Sequence, residues 1–176
     1  MCVLALDIAT KTGWALFEEG MTRPHMGSLT LKTKNQGNGF AGENLRKLIA
    51  EKHEIYGIEY LVFESQHIGK KINPQLVYML IGLGMMTEWM AHRMKAQCFT
   101  VDIGTWRKHF IGTGGLGRDA AKKKAIDMCR SYGWAPADDN EADACGILDY
   151  FLSLPAIAQH YTRPWRDQQI MQGFRV

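Results

Sequence analysis

The sequence predicts an α/β fold, a central mixed five-stranded sheet flanked by helices, and three observations carry that prediction. Two short apolar runs, "VLAL" and "YLVF", each end in an acid, Asp7 and Glu64. Within the first 32 residues, strand-like runs follow one another with only short turns between them, as in hairpins. From residue 60 onward, strand, helix and strand alternate, which favours parallel pairing.

Taken in order, Val3 to Asp7 reads as a first strand buried on both faces. Gly13 to Phe17 is a second, joined to it by the turn Thr10-Lys11-Thr12. Leu29 and Leu31 alternate with Ser28, Thr30 and Lys32, the pattern of a third strand near an edge. Ala41, Leu45, Leu48, Ile49 and Lys52 follow helical spacing, giving a first helix that ends near Gly57. Tyr60 to Glu64 is a fourth strand, followed by a polar loop from Ser65 to Asn73. Pro74 suits a first helical turn and opens a long helix over 74–95, and Cys98 to Val101 is a fifth strand. Thr105 to Phe110 is a short amphipathic helix or turn. After the loop "GTGGLGR" comes a helix from Asp119 to Ser131, with Asp119 placed to cap it and Gly133 to end it. The segment "WAPADDNEADACGILDYFLSL" feeds a last helix that Pro155 ends.

At 176 residues and 46% hydrophobic content the chain fits one domain, taken as residues 1–155, with 156–176 a tail to which no role is assigned. Net charge is only +3, so any case for nucleic acid rests on where cations cluster. Cys2, Cys98, Cys129 and Cys145 lack paired spacing, which argues against a zinc site and a disulfide framework. No basic, then apolar, leader opens the chain, and Gly82, Gly84 and Glu88 interrupt the most apolar helix. The expectation is a reduced, cytoplasmic protein without a membrane span.

A carboxylate at the end of a buried strand costs several kcal/mol unless something offsets its charge. Asp7 and Glu64 stand out for this reason, and Asp143 stands out by its position near the start of the last helix. If the first and fourth strands are neighbours, their terminal acids meet, and a helix across that end adds the third. Like charges at close range favour a divalent cation, and a few carboxylates plus substrate phosphate is the usual way to hold Mg²⁺.

In this order, "LALDIATKTGWAL", "YLVFES", "WRKHFIGTGGLGRDAAKKKAI" and "DDNEADACGIL" resemble the RuvC-type Holliday junction resolvases of the ribonuclease H-like superfamily, over about residues 1 to 153. The resemblance implies a metal-dependent endodeoxyribonuclease that resolves four-way DNA junctions by paired phosphodiester hydrolysis. It implies Asp7, Glu64 and Asp143 as catalytic, metal-binding acids. Where the family has Asp or His three residues before the last acid, this chain has Asn140. An amide oxygen ligates a hard cation without charge, so Asn140, Asp139 and Glu141 all remain candidates for the fourth ligand. His67 stands where the family often has an aromatic residue. Two Mg²⁺ about 3.5–4 Å apart would flank the scissile phosphate, one activating water and one stabilising the leaving oxygen. Mn²⁺ suits the same oxygen ligands.

The substrate contact falls to the basic segment. Between Gly104 and Arg130, seven cations (Arg107, Lys108, Arg118, Lys122, Lys123, Lys124, Arg130) face two acids, a net +5, so phosphate binding should be steeply salt-dependent. Consecutive lysines span most of a helical turn, so at least one of Lys122, Lys123 and Lys124 is simply solvated. Lys70, Lys71 and His67 are further candidate DNA contacts. Gly112, Gly114 and Gly117 match G-x-G-x-x-G but follow no core strand, which speaks against a dinucleotide site.

The 74–95 helix is apolar over more than one face, explained by full burial or by a homodimer, which the resemblance favours. Branched DNA is then the partner; the sequence names no helicase. Three rivals stay open: a broader branched or flap nuclease of the same fold, an actin-like ATPase fragment suggested by "DIATKTG", and a catalytically silent junction-binding module.

Overall fold

The computed structural model describes residues 1–66, 73–160 and 163–166. Five strands, Cys2–Asp7 (β1), Lys11–Glu18 (β2), His25–Thr30 (β3), Tyr60–Glu64 (β4) and Gln97–Val101 (β5), form one sheet in the order β3-β2-β1-β4-β5. The β1–β2 and β2–β3 pairs are antiparallel, and β1–β4 and β4–β5 are parallel. This mixed sheet is flanked by helices Asn38–Tyr56 (α1), Pro74–Met94 (α2), Ile103–Ile111 (α3), Arg118–Ser131 (α4), Asp139–Ser153 (α5) and Pro155–Ala158 (α6). It is the ribonuclease H-like α/β architecture.

Both faces of the sheet are covered, which is why β1 reads as an unbroken apolar run rather than an alternating one. Val3 and Ala5 join the core under α3, α4 and α5, while Cys2, Leu4 and Leu6 join the core under α1 and α2. Each large aliphatic side chain buried this way contributes about 1.5–3 kcal/mol. On the first face, small residues let α5 lie close against β1 and β2: Ala5 and Ala15 below, Ala142, Ala144, Cys145 and Gly146 above, all buried.

Several boundaries differ from the sequence reading. The turn after β1 is Ile8 to Thr10, because Thr12 Oγ1 folds back to donate to the Ala9 carbonyl at 2.9 Å, so Lys11 and Thr12 already belong to β2. Gly117, in extended backbone at φ −59°, is the N-cap of α4, and Asp119 sits in the first turn without making a cap bond. There it still favours the helix dipole. Gly57 and Gly133 both adopt positive φ, 63° and 76°, where glycine is unstrained; they follow α1 and α4. Asp138 caps α5 by accepting from the Glu141 N–H at 2.9 Å, and Glu141 Oε2 accepts from the Ala137 N–H at 2.8 Å, a reciprocal arrangement close to a capping box.

Helix α2 turns one face inward, with Met79, Leu83, Thr87, Met90 and Ala91 buried, and leaves Tyr78, Ile81, Met85 and Trp89 outside, Tyr78 at 74% and Met85 at 67%. The monomer core therefore accounts for only part of its apolar surface. From the tail, Trp165 is fully buried in the core, its indole N–H donating to Asp149 at 2.7 Å. Among the described residues no helix is long and apolar enough to cross a membrane.

Candidate active site

The parallel register of β1 and β4 pairs Leu6 with Phe63, so the next residues, Asp7 and Glu64, end neighbouring strands at the same edge of the sheet. Across the hairpin Asp7 pairs with Gly13. A side chain at 13 would overlap the Asn140 carbonyl. The glycine thus makes room for the first turn of α5 beside Asp7, and that helix carries Asp143 into the same place. The three acids named from the sequence are brought together.

Their electrostatics follow from the crowding. Burial, and then the charges of Asp143 and Glu64, push the half-buried Asp7 carboxyl up to about 8. Burial also raises Glu64 and Asp143 above the usual carboxylate range. Two neighbours work against the rise. Trp106 Nε1 donates to Glu64 Oε2 at 2.8 Å, and Arg107 reaches Asp143 Oδ2 at 3.5 Å while stacking over the Trp106 ring. Both come from α3, which Asp102 starts by accepting from the Thr105 N–H at 3.0 Å.

The candidates for a fourth ligand separate by their partners. Glu141 is spent on the cap of α5, and Asp139 pairs with Lys122. Asn140, three residues before Asp143, shares its face of the helix. Lys122 is half-buried here and lowers Asp7 and Asp143 electrostatically, whereas Lys123, Lys124 and Lys108 are exposed. Arg118 is exposed, yet close enough to act on Asp143.

Of the cations expected to contact DNA, Arg107 is set apart by its place among the acids. Its side chain is only 14% exposed and lies among the acids, because the amphipathic turn of α3 points it inward next to buried Trp106. His67, Lys70 and Lys71 lie outside the described residues. The glycine-rich loop packs back on α3, with Gly114 against the Gly104 carbonyl, and no strand feeds it. Trp106 was missed as a site residue: its acceptor lies 42 residues away in sequence, and the only signal was the rule that a buried indole N–H needs a partner.

Among the described residues no group of three His, Cys, Asp or Glu side chains is arranged to hold a metal ion. The donor set nevertheless fits a hard cation. Three carboxylates repel one another, and Asp143 Oδ1 is buried without a hydrogen-bond partner among the described residues, as is Arg107 Nε. A divalent ion accepts oxygen donors of this kind.

Solved structures of Holliday junction resolvases share this fold. RuvC of Thermus thermophilus aligns at a TM-score of 0.65 and 16% identity, covering 84% of this chain and 90% of that one, and the same figures hold for T. thermophilus RuvC in complex with Holliday junction substrate. The yeast mitochondrial Holliday junction resolvase Ydc2 aligns at 0.62 and 13% identity, over 94% of this chain and 83% of its own. No family model matches the chain, and no curated protein does. The fold predicted from the sequence is thus shared with these enzymes.

Proposed function

We propose that the chain is a metal-dependent, structure-selective endodeoxyribonuclease that resolves four-way DNA junctions by paired phosphodiester hydrolysis. The observation that carries this is the convergence of Asp7, Glu64 and Asp143, from two strands and a helix, at one edge of the sheet. The likeness in fold to resolvases, one of them bound to Holliday junction substrate, supports it.

Asp7, Glu64, Asp143 and the Asn140 amide oxygen would hold Mg²⁺, or Mn²⁺, with two ions per site. The bound ions would supply an activated water and neutralise charge on the phosphate and the leaving oxygen. The chain's own part is positional and electrostatic. The sheet register fixes Asp7 against Glu64, and Gly13 seats α5. Arg107, held among the acids, has a guanidinium suited to the scissile phosphate once a cation satisfies Asp143. Lys122 adds a second cation at the same edge. Lys108, Arg118, Lys123 and Lys124 would grip the flanking backbone and make binding salt-dependent.

A four-way junction needs two cuts, and a two-fold dimer presents two sites in symmetric register. The exposed face of α2, Tyr78, Ile81, Met85 and Trp89, is the surface on which we place that homodimer. Labelled synthetic four-way, flap and linear duplex DNA, incubated with and without Mg²⁺, test the reading. Paired, metal-dependent nicks at the junction support it. Equal cutting of flaps points to a broader branch nuclease, and tight binding without cutting points to a silent module.

A further inference from the structure

The indole of Trp106 is fully buried. A buried indole N–H needs an acceptor, and here the acceptor is Glu64 Oε2 at 2.8 Å. The ring's position is set from the other side by α5. A Cβ at Gly146 would lie 2.6 Å from Trp106 Cζ3 and 2.9 Å from Phe110 Cδ1, so any side chain there would displace the ring. Gly146 follows Asp143 by three residues on the same helix. The indole therefore spans from the helix turn beside Asp143 to the strand end that carries Glu64. The next residue of α3, Arg107, reaches Asp143 itself. Two consecutive residues of one short helix thus connect two acids supplied by different elements.

We infer that Trp106 is a positioning residue for Glu64: wedged in the slot left by Gly146, its N–H engages Oε2 and leaves Oε1 as the oxygen that Glu64 presents to a divalent cation. The inference rests on the nuclease reading of the acids. A glutamate at a strand end can turn its carboxylate and offer either oxygen or both. A charge-assisted hydrogen bond from a ring that cannot move removes that freedom. Among the described residues no donor reaches Oε1. Outer partners of this kind fix the orientation of a metal-binding side chain, and their loss typically costs about 10–100-fold in metal affinity or activity.

The test has two arms. In the first, indole ¹H–¹⁵N resonances are followed; the chain has five tryptophans, and Trp106→Phe identifies the relevant one. That resonance is expected to move in Glu64→Gln and again on titration of the wild type with Mg²⁺. In the second arm, single-turnover junction cleavage by Trp106→Phe is expected to slow about 10–100-fold, with junction affinity close to wild type and a melting temperature lowered by the cavity the smaller ring leaves, the assay being run well below it. A Trp106 resonance indifferent to Glu64→Gln, or wild-type cleavage by Trp106→Phe, overturns the inference. If the wild type cuts no junction, the nuclease reading fails on its own, and the resonance still decides whether Trp106 holds Glu64. If Trp106→Phe does not fold, the resonance is assigned in the wild type and the Glu64→Gln comparison decides.

Discussion

Arg107 and Asp143 face each other at 3.5 Å inside the cluster of acids, and each keeps one buried polar atom, Nε and Oδ1, without a partner among the described residues. The pair is incomplete as an ion pair and well suited to opening around a ligand. Removing one partner of a buried pair usually costs more than the pair contributes, because a bare charge is left behind. Arg107→Ala is therefore expected to lower metal-free stability by roughly 2–3 kcal/mol, toward the lower end for buried pairs because the site opens to solvent. Adding Asp143→Asn should recover much of that loss. Chemical denaturation of the two single variants and the double variant checks the coupling.

Asp7 makes stability depend on pH in a direction opposite to most acids. Burial and two neighbouring carboxylates raise its folded-state value to about 8. The folded protein thus holds a proton that the unfolded chain releases near pH 4. Without metal, stability is highest below about pH 4 as far as this group is concerned, and it falls as pH rises through about 8. Asp7→Asn should raise the metal-free melting temperature at pH 8 by at least ~2–4 °C, with a much smaller rise at pH 4. Thermal melts in chelator at both pH values decide; equal effects would contradict the assignment. Mg²⁺ should protect the wild type and not the variant.

Gly13 has no side chain because the Asn140 carbonyl of α5 occupies that space. Gly13→Ala should cost roughly 1–3 kcal/mol from overpacking. It should also abolish cleavage disproportionately, since α5 carries Asp143. A variant with wild-type cleavage would show that α5 need not sit so closely.

Asp149 is fully buried and gathers His109, Trp165 and Arg166 around it. Burial alone would raise its carboxyl, but hydrogen bonds from His109 and Arg166 outweigh this and hold it at about 2. Its stabilising contribution is therefore full above about pH 4 and lost as pH falls toward 2. Asp149→Asn should destabilise by about 3–5 kcal/mol at neutral pH and flatten that acid limb, read by denaturant melts between pH 2 and 6.

The apolar face of α2 gives a prediction about assembly. Met85→Lys places a charge between Ile81 and Trp89 on the exposed face without touching the buried one. Sedimentation should show a shift from dimer to monomer at unchanged fold, and junction cleavage should change from paired to single nicks. A wild-type monomer at micromolar concentration would remove this part of the proposal.

The sheet and the strand-end acids Asp7 and Glu64 were legible because they depend on local pattern, whereas Asp143 was named by its position and by the family resemblance. Apolar runs ending in Asp7 and Glu64 state both the strand and the anomaly at its end, and the hairpin and edge position of β3 follow from short turns and alternation. What escaped was long-range. Nothing near Trp106 names Glu64 as its acceptor, and nothing near Arg107 separates a buried guanidinium from the exposed cations beside it. Trp165 sits in a tail with no periodicity, and its burial depends on Asp149, 16 residues earlier. The Asp119 cap failed for a simpler reason: Gly117 adopts the cap conformation, and side-chain preference yielded to backbone.

The most direct test of the whole account is cleavage of a labelled synthetic four-way junction by the wild type, Asp7→Asn and Glu64→Gln, with Mg²⁺ and with chelator. The account predicts paired nicks confined to the junction in the wild type with Mg²⁺, and none in either variant or in chelator, while junction binding persists in both variants. Metal-independent cutting, or cutting that survives Glu64→Gln, would contradict it.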